Sequence, residues 1–182
     1  MKKVVITFGL ISGVISSAMM FLTLPFLENG AVNDSNGLIL GYTSIVLSLL
    51  LVFFGIRSYR ENAGGTITFG RAFKVGLLIV LISSAFYVAT WQVLYFKFMP
   101  NFWNVMADRT AVSMRAKGEP EAKIAATTQE MMGYKKVYDN PFLNAAFTLL
   151  EPLPVGIVVA LISAAILRKK GPAPPAAATA IA

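Results

Sequence analysis

The sequence contains no cysteine and no histidine. Their absence excludes disulfide bonds, thiolate nucleophiles, haem ligation by histidine and zinc sites built from these two residue types. It also removes the side chain that titrates near neutral pH, so a proton relay would need a perturbed carboxylate or lysine. Charged residues make up only 14% of the chain, against about 25% in soluble domains. We therefore expect no cofactor, no metal site and no catalytic residues.

Long apolar runs dominate the chain instead. Hydrophobic residues make up 56% of it, and apolar runs occupy residues 4–27, 38–56, 75–96 and 142–167. A bilayer core is about 30 Å thick and a helix rises about 1.5 Å per residue, so roughly 20 apolar residues cross it. The sequence predicts an all-α, polytopic membrane protein whose four transmembrane helices form one domain over residues 1–170.

The first run resembles a signal peptide only in part. Lys2 and Lys3 precede it, as in a signal sequence. The run is longer than the about 7–15 apolar residues of a signal peptide, and no small-residue cleavage site follows it. We interpret it as a retained first helix.

The charges of the loops predict an orientation. The short loop 28–37 carries Glu28 and Asp34 and no base, whereas bases flank the other helix ends. The predicted topology anchors are Arg57, Arg60, Arg71, Lys74, Arg168, Lys169 and Lys170. By the positive-inside rule, we expect both termini and the loop 57–74 in the cytoplasm of a bacterial inner membrane. The net charge of +7 is then mainly a topology signal, and nucleic acid is not an expected partner.

The long segment 97–140 must lie outside if all four helices span. It carries seven bases and five acids, which conflicts mildly with the positive-inside rule. Residues 101–134 within it read as two helices separated by Gly118, which predicts an external helical hairpin on or near the bilayer surface. A solvated connector is the favoured interpretation of this segment, and docking of a partner is the alternative. The Pro- and Ala-rich stretch 171–182 predicts a disordered cytoplasmic tail.

Small residues recur at every fourth position in the first and fourth helices. They are Gly9, Gly13 and Ser17 in the first helix, and Gly156, Ala160 and Ala164 in the fourth. In lipid, close approach of backbones drives helix association. The pattern favours packing within a four-helix bundle, and a dimer seam through the first helix is the alternative.

An aromatic stripe marks the outer end of the third helix. Tyr87, Trp91 and Tyr95 recur every four residues and share one helical face. Amphipathic rings of this kind concentrate at headgroup depth, which predicts an interface belt. A cage that stacks on a ligand is the less favoured alternative.

Glu151 is the one charged residue inside the four runs. Pro152 and Pro154 follow it, and proline removes helix hydrogen bonds, so we expect open carbonyls near Thr148 and Leu150. Carboxylates inside a membrane are candidates for function. Glu151, Pro152 and Pro154 could thus bind a proton or a cation. Alternatively, the helix is kinked near its outer end and Glu151 reaches water.

One stretch of the sequence resembles a known family. Residues 53–76 read FFGIRSYRENAGGTITFGRAFKVG, and their most specific part is Arg57-x-x-Arg60 followed by Gly65-x-Ile67-x-Phe69-x-x-Ala72. The stretch is similar to the bacterial membrane family catalogued as domain of unknown function 4199, and the similarity extends over residues 4–168. The resemblance implies a four-helix inner-membrane protein with no established activity. It supplies no catalytic residues.

Two classes of function follow from these observations. The favoured one is a non-enzymatic accessory or scaffold subunit, whose partners are the lipid bilayer and other membrane proteins or a second copy of the chain. The alternative is a small oligomeric transporter or channel that uses Glu151, with Ser83, Ser84 and Gln92 near its path. A membrane enzyme is less favoured than either, because acids and nucleophiles are not clustered in the sequence.

Overall fold

The computed structural model of the chain describes residues 1–28 and 34–169, with side chains described for residues 1–24, 39 and 41–169. The helices are α1 (Lys2–Glu28), α2 (Asp34–Asn62), α3 (Phe69–Val93), a π-helical turn (Leu94–Phe98), α4 (Phe102–Ala116), α5 (Glu121–Tyr138), α6 (Pro141–Leu149) and α7 (Pro152–Leu167). The predicted all-α class is confirmed. Lys170, the predicted tail 171–182 and residues 29–33 of the first loop lie outside the described residues.

The described residues include four helical stretches that are long and apolar enough to cross a membrane. They are Lys2–Leu24, Gly41–Asn62, Phe69–Phe98 and Pro141–Leu167. Each stretch overlaps one of the four apolar runs of the sequence. The chain is therefore a multi-pass membrane protein by the length and composition of its helices.

The fourth span is two helices, α6 and α7, with a break at Leu150 and Glu151. Pro152 has no N–H group, so it cannot donate the helical hydrogen bond to the carbonyl of Thr148. The Glu151 N–H donates to that carbonyl instead, at 3.3 Å. The carbonyl of Thr148 is thus not open, contrary to the expectation from the proline pattern.

α3 packs against all three other spans. Along α1 and α3, Gly9 lies against Ile82 and Gly13 lies against Phe86, so residue numbers increase together and the two helices are parallel. Both glycines allow close approach, because a Cβ on either would lie within 2.8 Å of the facing side chain.

α7 runs antiparallel to α3. Gly76 lies against Ala160 and Val80 lies against Gly156, so the residue numbers change in opposite directions. α2 packs between α1 and α7. The spans therefore alternate in direction along the chain, while the parallel pairs α1–α3 and α2–α7 are neighbours in space.

The bundle interior is apolar, with a small polar contact among three helices. The Ser12 hydroxyl donates to the Ser48 carbonyl at 2.7 Å, and it lies 2.9 Å from the Ser83 hydroxyl. These bonds join α1, α2 and α3 at mid-height. Buried side chains around them include Ile45, Leu49, Val52, Ile56, Val75, Ile79, Val80, Ala160 and Ala164.

The α2–α3 loop and the end of α7 meet at one end of the bundle. Ile67 and Lys169 exchange two backbone hydrogen bonds of 3.0 Å each. The Arg60 guanidinium also donates to the Leu167 carbonyl at 3.3 Å. Thr68 caps α3 by accepting from the Arg71 N–H at 3.4 Å.

α4 and α5 pack against each other at the opposite end. Gly118 ends α4 with a φ of 74°, a left-handed conformation that favours glycine. α5 extends to Tyr138, beyond the predicted end at residue 134. We call this pair, Phe102–Ala116 with Glu121–Tyr138, the α4–α5 unit.

Candidate functional site

Glu151 is hydrogen bonded across the break in the fourth span. The Tyr87 hydroxyl of α3 donates to its carboxylate at 2.7 Å. Glu151 lies on the exposed side of the bundle rather than in the interior, while Pro152 beside it is buried and Pro154 is exposed. Among the described residues, the arrangement provides one phenol donor to one oxygen of the carboxylate.

Other titratable groups near Glu151 are few. Burial raises the pKa of the Tyr138 phenol, and the charge of Glu151 raises it further, which places the two groups within electrostatic range. In the described part of the chain, no group of three or more His, Cys, Asp or Glu side chains could hold a metal ion. The described geometry at Glu151 is therefore a hydrogen-bonded carboxylate and phenol.

A polar network joins α6 to α3 next to the hydrogen-bonded pair of Tyr87 and Glu151. The Gln92 amide donates to the Pro141 carbonyl at 2.8 Å and lies 3.4 Å from the Asn144 side-chain oxygen. Asn144 is fully buried, and its amide donates to the Tyr138 carbonyl at 3.0 Å. The Thr148 hydroxyl donates to Asn144 at 3.2 Å. These bonds hold the start of the fourth span against the end of the third.

A second connection joins the end of α5 to the end of the third span. The Tyr95 hydroxyl donates to Asp139 at 2.9 Å, and the Lys135 ammonium donates to the other oxygen of Asp139 at 2.6 Å. The hydrogen bond from Lys135 lowers the pKa of the Asp139 carboxyl, and the bond from Tyr95 lowers it further. Asp139 is thus held ionised between two donors.

Aromatic rings fill the space between the α4–α5 unit and the bundle. Trp103 stacks on Tyr134 at a ring-centre distance of 5.8 Å and meets Tyr138 at 5.3 Å. Tyr138 in turn lies 6.1 Å from Tyr95 and stacks on Phe147 of α6 at 6.2 Å. This cluster links the π-helical turn, α4, α5 and α6.

The aromatic stripe of α3 takes part in this cluster. Trp91 meets Phe102 edge-on at 5.6 Å, and Tyr95 is only 3% exposed. The prediction that the stripe forms a belt facing the headgroups is therefore wrong for Tyr95. The sequence pattern placed the three rings correctly on one face, but α4, α5 and α6 cover that face.

The small residues of the predicted packing pattern lie between helices of the same chain. Gly9 and Gly13 face α3, and the Ser17 hydroxyl lies 2.6 Å from that of Thr90. Gly156 lies against Val80. Ala160 and Ala164 are fully buried.

The predicted topology anchors lie at the end of the bundle opposite the α4–α5 unit. Arg57 pairs with Glu61 at 2.9 Å, and Arg60 reaches the end of α7. The first turns of α3 and the residues after α7 carry the rest of the described anchors: Arg71, Lys74, Arg168 and Lys169.

The polar residues predicted to lie near a path are not in one place. Ser83 contacts Ser12 at mid-height and Ser84 is buried in α3, whereas Gln92 bonds to the start of α6. Sequence reasoning missed Asn144 and Thr148, which complete the network at Gln92. Their spacing of four residues on an otherwise apolar helix was the available signal.

Comparison with known proteins identifies a family and no individual relative. The family model for a protein of unknown function, DUF4199, matches residues 7–169. No curated protein and no solved structure matches the chain. Since the match spans nearly all of the bundle and the α4–α5 unit, the chain belongs to the DUF4199 family.

Proposed function

We propose that the protein is a non-enzymatic accessory or scaffold subunit of a bacterial inner-membrane assembly. The observation that carries this proposal is the attachment of the α4–α5 unit to the third and fourth spans. The aromatic cluster and the Tyr95–Asp139 hydrogen bond hold the unit at a fixed height on these spans. A rigidly held helix pair is suited to docking, because little conformational freedom is lost when a partner binds.

The surface of α5 is available for such docking. Ile124 is its one buried residue, and most of its other side chains are exposed, among them Ala126, Gln129 and Lys136. Because α5 carries charges of both signs, we propose a protein partner with a polar surface rather than a nucleic acid.

The proposed orientation places both termini and the loop 57–74 in the cytoplasm. Support comes from the collection of the basic residues at one end of the bundle, where the loop after α2 bonds to the residue after α7. With that end inside, the α4–α5 unit forms an external helical hairpin at the outer surface.

Photo-crosslinking in native membranes tests the scaffold role. A crosslinking amino acid at Ala126 or Gln129 is expected to give one discrete adduct of fixed mass, and the same adduct partner should co-purify with the unmodified chain. The matched control is Thr7, an exposed position of α1 at the other end. Absence of any adduct at both α5 positions, with normal membrane insertion, would contradict the proposal.

A small oligomeric transporter or channel is the second candidate. The Tyr87–Glu151 hydrogen bond of 2.7 Å favours it, because this carboxylate lies in a membrane span with a proton donor in contact. Since Glu151 lies on the outside of the bundle, the path would run between copies of the chain. Ion or proton flux into liposomes, measured for the wild type and Glu151→Gln, tests this function. Equal flux in both, at the level of empty liposomes, would refute it.

A further inference from the structure

The chain leaves the third span through an irregular turn. The π-helical turn Leu94–Phe98 is closed by the Met99 N–H, which donates to the Leu94 carbonyl at 2.8 Å. Pro100 follows, and α4 begins at Phe102, whose N–H donates to the Met99 carbonyl at 3.0 Å. This turn connects α3 to α4, and a cleft lies along the turn and the first two turns of α4.

The cleft has an apolar floor and one cationic side chain. Its volume is about 230 Å³, and its lining includes Phe98, Met99, Phe102, Val105, Met106 and Arg109. Phe98 is 57% exposed and Val105 is 43% exposed, so the apolar lining meets the medium around the protein. Contiguous exposed apolar surface often marks a site of contact with a membrane or a ligand.

The position of the cleft identifies the medium. The third candidate span ends at Phe98, which is the first residue of the lining. A helix of the 30 residues of this span is about 45 Å long, more than the about 30 Å of a bilayer core, so its outer end, where the cleft begins, reaches headgroup level. Exposed Lys97 directly precedes Phe98 in the sequence, and Phe21 near the end of the first span meets the Phe98 ring edge-on at 6.1 Å.

The face of α4 at the cleft combines apolar and basic residues. Val105, Arg109 and Val112 recur at positions i, i+4 and i+7 and share one side of the helix, and Val112 is 65% exposed. Ala107 is buried on another side, where α4 packs on α5. The side that carries Arg109 is thus distinct from the side that holds the α4–α5 unit together.

Arg109 carries the positive charge that pairs with a phosphodiester, and it lines the cleft together with apolar side chains. A guanidinium presents five donors in a planar fork that suits phosphate oxygens, and it keeps its charge at any physiological pH. Arg109 also has contacts of its own within the protein. The number of its donors allows it to keep such contacts and bind a phosphate as well.

We infer that this cleft is a binding site for one anionic phospholipid of the surrounding bilayer. The phosphate lies at Arg109, with Lys97 close by, and the upper part of an acyl chain covers Phe98, Val105 and Met106. The lipid fixes the turn between the third span and α4, and so couples the α4–α5 unit to the membrane surface. This inference does not depend on whether the unit docks a protein.

Lipid competition with the full-length protein tests the site. Purified protein in mild detergent is incubated with phosphatidylglycerol or with phosphatidylcholine of the same acyl chains, and bound lipid is counted by native mass spectrometry. One tightly retained phosphatidylglycerol per chain is expected. Arg109→Gln should weaken its retention about tenfold, which corresponds to the loss of one charge-assisted hydrogen bond.

The matched control is Arg115→Gln on the same helix. Arg115 is 56% exposed and pairs with Glu121, away from the cleft, so its loss should leave phosphatidylglycerol retention unchanged. Val105→Trp fills the floor of the cleft and should reduce retention while Arg109 stays in place. Together, these variants separate a loss of the site from a loss of the fold.

Three results of the comparison between lipids and variants would overturn the inference. They are equal retention of the two lipids by the wild type, unchanged retention by Arg109→Gln, and an equal loss in Arg115→Gln. Inorganic phosphate distinguishes a lipid site from a simple anion site. If millimolar phosphate displaces the lipid completely, the acyl chain contributes nothing and the lipid assignment is wrong.

Discussion

Gly13→Ala is expected to separate α1 from α3. A Cβ at position 13 would lie 2.7 Å from both Cβ and Cγ of Phe86. Carbon atoms in good contact are about 3.5–4.0 Å apart, so the helices must move by about 1 Å at this level. The Cβ of Phe86 is fixed to the α3 backbone and cannot rotate away. The methyl group therefore cannot be accommodated by a change of rotamer.

The size of the effect follows from two opposing contributions. Overpacking of a well-packed interior costs about 1–3 kcal/mol. Replacement of glycine by alanine inside a helix favours the helix by up to about 1 kcal/mol. The packing contribution is the larger, so we expect Gly13→Ala to destabilise the protein by about 1–2 kcal/mol. For a chain of this size, that corresponds to a lower melting temperature by several degrees.

Gly41→Ala is the matched control. Gly41 lies in α2, and no described atom outside the backbone of its own helix and its chain neighbours lies within 4 Å of the position of an added Cβ, so we expect only the helix propensity to change. Thermal unfolding in detergent, followed by loss of the monodisperse peak in size-exclusion chromatography, compares the two variants. If Gly13→Ala is as stable as Gly41→Ala, the close packing of α1 on α3 is wrong. If Gly13→Ala instead changes only the oligomeric state, the glycines belong to a dimer seam.

Two further perturbations test the connections at the other end. Asn144→Leu removes the hydrogen-bond partner of the Tyr138 carbonyl and of the Gln92 and Thr148 side chains. We therefore expect the free energy of unfolding to fall by about 1–3 kcal/mol. A stability equal to that of the wild type would refute the network. Because the pKa of Asp139 is lowered in the folded protein, its ionised form stabilises the fold above about pH 4, and this contribution is lost as the pH falls through the lowered pKa. The protease sensitivity of the α4–α5 unit should therefore rise on acidification in the wild type. The Asp139→Asn variant should be sensitive at every pH. An identical pH profile for the two proteins would contradict the role of Asp139.

The spans and helix ends were predictable because they depend on local chemistry. The apolar runs and the caps at Thr68 and Gly118 are properties of a few adjacent residues, and each appears in the structure. The family resemblance, carried by the loop after the second helix, is confirmed by the match over residues 7–169.

The packing between distant helices was not predictable in the same way. Four alternating spans make α1 and α3 parallel, but nothing in the sequence indicates that the two are neighbours, because loop lengths alone favour contacts between consecutive helices. The aromatic stripe had the right periodicity, but the residues that cover Tyr95 lie on α4 and α5. The partners of Gln92 are likewise about fifty positions further along the chain, where a single sequence contains no pairing information.

The prediction of a site at Glu151 rests on its charge and on the two prolines that follow it. The sequence analysis identified Tyr87 as part of an aromatic stripe rather than as the hydrogen-bond donor to Glu151. This contact was not predictable, because it depends on the register between α3 and the fourth span, which the close contact of Gly156 with Val80 sets. Similarly, the cleft at Arg109 depends on the π-helical turn, which no local pattern indicated.

The central claim is a four-span protein whose basic end faces the cytoplasm and whose α4–α5 unit faces outward. The chain has no native cysteine, so single-cysteine variants Ala63→Cys and Ala126→Cys can be labelled without background. Both positions are exposed, at the two opposite ends of the bundle. In intact cells with a permeable outer membrane, an impermeant maleimide should label Ala126→Cys at once and Ala63→Cys only after the inner membrane is opened. Labelling of both positions from the same side, or in the reverse order, would contradict the account.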